Sequence, residues 1–180
     1  MSDFFMIETI AVGLSMDTFS LSMAYGMLGI DKKTIIKLSI IVGTYHFIMP
    51  ILGNYLGTAL LKLFSLNPSF LVGMIFLILV IELIYSLFKE EQLLEINTNT
   101  SMLLFGLAVS IDSFSVGLGL MAISKNKLFV SLIFMITSFI FTYIGLNFGK
   151  KTVDTIGKKA QMLGIVILVI LAISYIIKGC

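Results

Sequence analysis

Two short stretches carry the chemistry of this chain: Ser15-Met16-Asp17-Thr18-Phe19-Ser20 and Ser110-Ile111-Asp112-Ser113-Phe114-Ser115. Each sets a carboxylate near the middle of a long apolar run. An ionised side chain there costs about 2.5–3.5 kcal/mol on insertion scales and more in simulations. The same cost met twice, at matching places, points to one shared task. On helices, Gly13, Ser20 and Ala24 share the face of Asp17, and Ala108, Ser115 and Gly119 share that of Asp112. Small residues let helices approach closely, and hydroxyls supply neutral oxygen ligands. Two carboxylates brought together in a low dielectric cannot both stay ionised without a partner. No lysine lies inside an apolar run to neutralise them, which leaves protons or a bound cation. Hard divalent cations prefer oxygen ligands of this kind. The expectation is a metal site at Asp17 and Asp112, with Ser20 and Ser115 as candidate hydroxyl ligands. The competing reading is two protonated carboxyls bonding between helices, a task that Asn or Ser would perform at lower cost.

Further candidates surround these two. His46 is the only histidine and lies four residues before Pro50. Proline removes a backbone donor and frees carbonyls that must find partners. A nitrogen ligand beside such a place suits a borderline cation such as manganese or iron; an interhelical hydrogen bond or a proton relay is the other reading. Glu82, inside another apolar run, is either a third acid along a cation path or a residue that snorkels. Asn54 and Asn147 occupy similar places in two Gly-x-x-x-Gly segments and either line a path or bridge helices. The eleven methionines are scattered and read as packing.

The elements that must position these residues are membrane helices. The 180 residues are 58% hydrophobic and 12% charged, with mean hydropathy +1.10; a soluble domain has about 25% charged residues. A span needs about 20 mainly apolar residues. Six stretches qualify: Phe4 to Leu28, Leu38 to Leu61, Phe70 to Phe88, Met102 to Ile123, Leu128 to Phe148 and Met162 to Ile177. Helices are expected because lipid offers no partner to an open sheet edge. The first run has no basic residue before it and no small-x-small site after it, so no cleavable signal is expected. The net charge of +2 argues against a nucleic-acid partner, and all twelve basic residues are lysine, so no arginine fork is present for phosphate. Cys180 alone can form neither an internal disulfide nor a cysteine-rich metal site.

Lysines set the expected orientation. Lys32, Lys33, Lys37, Lys89, Lys150, Lys151, Lys158 and Lys159 fall on one side; Lys62, Lys125, Lys127 and Lys178 fall on the other. The larger group is assigned to the cytoplasm, which places both termini outside a bacterial inner membrane. The halves repeat. Gly53-x-x-x-Gly57 in the second stretch matches Gly145-x-x-x-Gly149 in the fifth, and Gly73 in the third corresponds to Gly164 in the sixth. With three spans per half, the second copy enters from the opposite side. The expected fold is all-α, six transmembrane helices in two inverted repeats: residues 1–90, a polar connector at 91–100, and residues 101–180. Transporters so built place their sites near the midplane. The Gly-x-x-x-Gly segments can pack helices within one chain or between copies, so a homo-oligomer stays open.

The motifs resemble the bacterial manganese efflux pump family (MntP type), within the LysE-like transporter superfamily. The resemblance covers nearly the whole chain. It rests on Ser15-Met16-Asp17-x-Phe19, Gly26, Pro50-x-x-Gly53-x-x-x-Gly57, Ser110-Ile111-Asp112 with Val116-Gly117-x-Gly119-Leu120, and Ile156-Gly157-Lys158-Lys159-Ala160-x-x-Leu163-Gly164. It implies export of manganese as substrate, no cofactor, and important roles for Asp17 and Asp112. Family members often carry Glu or Gln where this chain has His46, and an acid where it has Ser86, with Glu82 one turn earlier. The related YtaF-type sporulation membrane proteins share the repeated Ser-x-Asp pattern, but the short middle loop and the Ile-Gly-Lys-Lys-Ala segment favour the pumps.

Secondary efflux of Mn²⁺ is the expected function. No Gly-x-x-x-x-Gly-Lys-Ser/Thr segment is present to bind ATP. The alternatives are export of another divalent cation and a non-transporting sporulation or membrane-assembly protein. An intramembrane aspartyl protease also needs two aspartates, but the Gly-x-Gly-Asp and Tyr-Asp contexts of such proteases are missing.

Overall fold

The structure, a computed structural model, describes residues 3–64, 67–88, 98–123 and 126–149, and residues 162, 165, 166, 169, 170, 172–174, 176 and 177. Its helices are α1 (Asp3–Gly26), α2 (Lys32–Phe64), α3 (Pro68–Phe88), α4 (Asn99–Ala108), α5 (Ile111–Ile123) and α6 (Lys127–Gly149). Every described residue between 162 and 177 is also helical, and no strand occurs among the described residues. Among the described residues, three stretches are long and apolar enough to cross a membrane: Lys32–Leu63, Asn99–Gly119 and Lys127–Gly149.

Helix starts are written in short polar residues. Asp31 accepts from the N–H groups of Lys33 and Thr34 at 3.0 and 3.4 Å, so α2 begins at Lys32, earlier than the expected span start at Leu38. Hydrogen bonding from the Thr34 side chain, then from nearby backbone N–H groups, holds the Asp31 carboxyl below its ordinary value of 3.8. A lowered folded-state pKa means that this cap is at full strength above the ordinary aspartate range and fades as pH falls through it. Asn67 caps the Ser69 N–H, with Pro68 in the first helical position, where its missing N–H costs nothing. Thr98 and Ser101 form a capping box on α4, and Asn126 receives the Phe129 N–H.

The fourth expected span is not one helix. It breaks at Val109 and Ser110, between α4 and α5. The cause is local competition for backbone groups. The Ser110 hydroxyl donates to the Leu107 carbonyl at 3.0 Å. The Asp112 carboxylate accepts the Ser113 N–H at 2.6 Å. Helix α2, by contrast, runs unbroken through Pro50.

The outer face of the bundle is apolar, and small hydroxyl side chains are buried within it. On α6, Leu132, Ile136, Ile140, Tyr143 and Ile144 are exposed, while Ser131, Ser138 and Thr142 are buried. Exposed Met162, Val166, Ile170, Ile173 and Ile177 recur every three or four residues along the last described helical stretch. Water would penalise both halves of this pattern, and a bilayer rewards it.

Two apolar clusters fill the interior. One joins Ile7, Ile10, Ala11 and Leu14 of α1 to Ile75, Leu79 and Val80 of α3, Val116 of α5, Val130 and Phe134 of α6, and Ala172. The other joins Tyr25 of α1, Ile35, Leu38 and Val42 of α2, Met102 and Phe105 of α4, Val109, and Leu146 of α6. Within the second, Tyr25 meets Phe105 edge-on with centroids 4.8 Å apart. At the same end the Lys37 ammonium donates to the Asn99 side-chain oxygen at 2.5 Å, so α2 and α4 start on one side of the bundle.

Glycines set the closest approaches. A Cβ on Gly53 would strike the Phe114 carbonyl, one on Gly57 the Leu118 carbonyl, and one on Gly117 the Pro50 backbone, all at the α2–α5 seam. A Cβ on Gly145 would lie 2.8 Å from the Phe19 carbonyl, and one on Gly149 would strike that of Met23, at the α1–α6 seam. The partners are backbone atoms, which cannot swing aside. Gly57→Ala and Gly149→Ala should therefore each destabilise the fold by about 1–3 kcal/mol, read by thermal unfolding in detergent. Gly29, with φ of 78° and nothing within 4 Å of an added Cβ, should accept Asn, which tolerates that conformation. The Ser15 and Ser138 hydroxyls bond across the α1–α6 seam at 3.1 Å. A double-mutant cycle with Ser15→Ala and Ser138→Ala should return a coupling of about 0.6 kcal/mol, the usual worth of such bonds in a membrane.

Candidate metal site

A polar belt lies between the two apolar clusters. On α1 it occupies the interval between Leu14 and Tyr25, which belong to opposite clusters, and contains Ser15, Asp17, Thr18 and Ser22. On α6 it lies between Phe134 and Leu146 and contains Ser138 and Thr142. Between Val109 and Val116 it contains Ser110, Asp112 and Ser113. Both motif aspartates therefore fall in the belt by their register along the chain.

Asp112 stands in the first turn of α5, just after the helix break. The N-terminus of a helix carries unpaired N–H groups and the positive end of the macrodipole, and both favour an anion. The break thus builds a local environment for a carboxylate where a continuous helix would offer none. Asp112 is 8% exposed. His46 of α2, fully buried, approaches it, with Nε2 3.9 Å from Oδ1. On its other side the imidazole is anchored by Nδ1, 3.0 Å from the Val42 carbonyl one turn earlier. Pro50, one turn later, has no N–H to return to the His46 carbonyl.

Asp17 sits in an unbroken helix and is only partly buried. The stripe expected to share its face is likewise mixed: Gly13 is buried, while Ser20 and Ala24 are half-buried. The most enclosed face of α1 is turned sideways from it and carries Ser15, Thr18 and Ser22, each 0–1% exposed. These hydroxyls, with Ser131, Ser138 and Thr142 of α6, were missed by the sequence reading. The seven- and four-residue steps of the α6 set, continuing in line to Gly145 and Gly149, are the signal that could have found them.

The remaining candidates divide. The Ser115 hydroxyl turns back to the Ile111 carbonyl at 3.3 Å. Asn54 is buried, 1% exposed; Asn147 is half-buried and donates to the Tyr143 carbonyl of its own helix at 2.7 Å. Glu82 lies in α3, but its side chain falls outside the described residues. So do Gly164 and the polar connector up to residue 97. Phe19 packs edge-on against Phe141 of α6, a packing role. Among the described residues, no three His, Cys, Asp or Glu side chains gather around one point. A cation in the belt would draw its further ligands from hydroxyl and carbonyl oxygen. His46 Nε2 and the hydroxyls of Thr18, Ser22, Ser113 and Ser131 are buried and make no hydrogen bond among the described residues.

Comparison with known proteins gives the family. A family model described as "Putative manganese efflux pump" matches residues 29–176. Three curated relatives carry the name "Putative manganese efflux pump MntP". That of Bacillus velezensis is 30% identical over 91% of this chain and 89% of its own length. That of Bacillus pumilus is 31% identical over 93% and 92%, and that of the archaeon Methanocorpusculum labreanum is 32% identical over 95% and 94%. No solved structure matches. The likeness runs along nearly the whole chain and takes in the helices that carry the belt: this protein belongs to the manganese efflux pump family, and it is a membrane transporter rather than an enzyme.

Proposed function

We propose that the chain exports Mn²⁺ from the cytosol across the bacterial inner membrane by alternating access at the polar belt, with Asp17 and Asp112 as the charged ligands. The observation that carries this reading is the position of Asp112: a buried carboxylate at the start of a half-helix, with a histidine nitrogen 3.9 Å away. Interrupted helices whose ends face an ion are how transporters make polar sites at membrane depth. Belt hydroxyls and carbonyls freed by Pro50 and by the α4–α5 break complete an oxygen-rich shell.

Six spans in two inverted halves, 1–90 and 101–180 joined by 91–100, fit the way the seams pair. Gly53 and Gly57 of α2 meet α5, which carries the second aspartate motif, while Gly145 and Gly149 of α6 meet α1, which carries the first. Each half thus packs its Gly-x-x-x-Gly helix on the aspartate helix of the other. Gly73 of α3 approaches the Ile176 N–H and the Ala172 carbonyl, which pairs the third span with the sixth. An inverted repeat supplies two related ways of arranging the same contacts, and rocking between them would expose the belt to each side in turn. With no ATP motif, the energy comes from ion gradients or the membrane potential. The positive-inside bias supports both termini outside.

Asp17→Ala and Asp112→Ala should each abolish manganese resistance in an exporter-deficient host and Mn²⁺ flux in proteoliposomes. Normal flux from either variant, at normal expression, would remove that residue from the site. Absence of flux from the unmodified protein would favour a non-transporting assembly role.

A further inference from the structure

We propose that His46 is itself a ligand of the transported cation and sets the site's preference for metals that accept nitrogen, such as Mn²⁺, Fe²⁺ and Co²⁺, over Ca²⁺ and Mg²⁺. This rests on the transport reading above and adds to it a specificity-determining residue. Three observations carry it. The first is the tautomer. Nδ1 lies 3.0 Å from the Val42 carbonyl, which can only accept, so Nδ1 bears a proton, and in the neutral ring Nε2 is then the bare lone pair. A metal-binding imidazole is commonly oriented in this way, with its other nitrogen donated to a carbonyl.

The second observation is isolation. His46 is 0% exposed, and its Nε2 makes no hydrogen bond among the described residues. A buried acceptor left without a donor is costly, and a ring whose only purpose was to bridge helices would have been given one.

The third is direction. Nε2 faces the Asp112 carboxylate across 3.9 Å, beyond hydrogen-bond range. Two lone-pair atoms turned towards each other in a dry interior are stabilised by a positive charge between them. Metal–ligand bonds of about 2.1 Å at tetrahedral to octahedral angles put neighbouring ligand atoms about 3.0–3.4 Å apart. The pair at 3.9 Å therefore stands about 0.5–0.9 Å outside a ligating separation. The mixed donor set then decides selectivity. Imidazole contributes little to Ca²⁺ or Mg²⁺, which favour oxygen, while first-row divalent metals accept nitrogen in the order in which their general affinities rise.

The test uses the full chain, purified without a histidine tag and loaded with Mn²⁺. His46 is the only histidine, so imidazole ¹⁴N coupling in pulsed EPR of the bound ion can have only one source. The expected result is such coupling in the unmodified protein and its loss in His46→Gln. In proteoliposomes, the same substitution should lower the affinity for Mn²⁺ by about tenfold or more, as loss of support at a metal site does, weaken competition by Co²⁺ and strengthen competition by Ca²⁺ against Mn²⁺. Bound Mn²⁺ without ¹⁴N coupling in the unmodified protein would overturn the assignment while leaving export intact. An unchanged competition profile in His46→Gln would overturn the selectivity role. Failure of the unmodified protein to bind Mn²⁺ at all would overturn the transport reading and this assignment with it.

Discussion

A carboxylate sunk in hydrocarbon has to be met by something positive, and the architecture around Asp112 is arranged to meet it. The polypeptide interrupts its fourth long apolar stretch one residue before Ile111 and restarts a helix there. That restart brings unpaired N–H groups and a dipole end to the aspartate. The side chain takes one of those groups, the Ser113 N–H, for itself. Across the gap, α2 offers a histidine and, through Pro50, a carbonyl without its helical donor. The break supplies N–H groups to the carboxylate, while the histidine nitrogen and the freed carbonyl are electron-rich and deepen the negative potential beside it; these groups lie on helices held together by backbone contact at Gly53, Gly57 and Gly117.

The same logic explains the rest of the interior. Helices in lipid gain little by hiding apolar groups from one another, because lipid is apolar too. Association has to come from close packing and from polar contact. The α1–α6 seam shows both, with Gly145 and Gly149 against α1 backbone and the Ser15–Ser138 bond between them. Many further large apolar side chains face outward, where lipid is no costlier than the interior.

Much of this was legible in the residues. Composition alone required membrane helices, and the repeated Ser-x-Asp stretches identified the belt. The Gly-x-x-x-Gly pairs marked close helix packing, but not whether it falls within one chain or between copies, nor which helix each would meet. Two things were hidden. The α4–α5 break is set by side-chain hydrogen bonds from Ser110 and Asp112 to nearby backbone, and hydropathy is blind to such bonds. The buried hydroxyls Thr18 and Ser22 lie about 100–140° around α1 from Asp17. Counting from the aspartate therefore led to Ser20, on a half-buried face, instead of to them. Where two helices contribute to one pocket, as His46 and Asp112 do, spacing within either helix carries no trace of the partner.

The two apolar clusters on either side of the belt have a further consequence. They close the interior on either side of it, and they are not alike. The one at the end bearing Lys32, Lys33 and Lys37 holds the Tyr25–Phe105 edge contact and lies beneath the Lys37–Asn99 clasp; the other is mostly aliphatic around Phe134. A passage to the lysine-bearing end has to part an aromatic pair and a hydrogen bond between helix starts, whereas a passage the other way has to part aliphatic surfaces that slide. The interior is therefore closed unequally at its two ends, by an aromatic contact and a polar clasp at one and by aliphatic packing at the other.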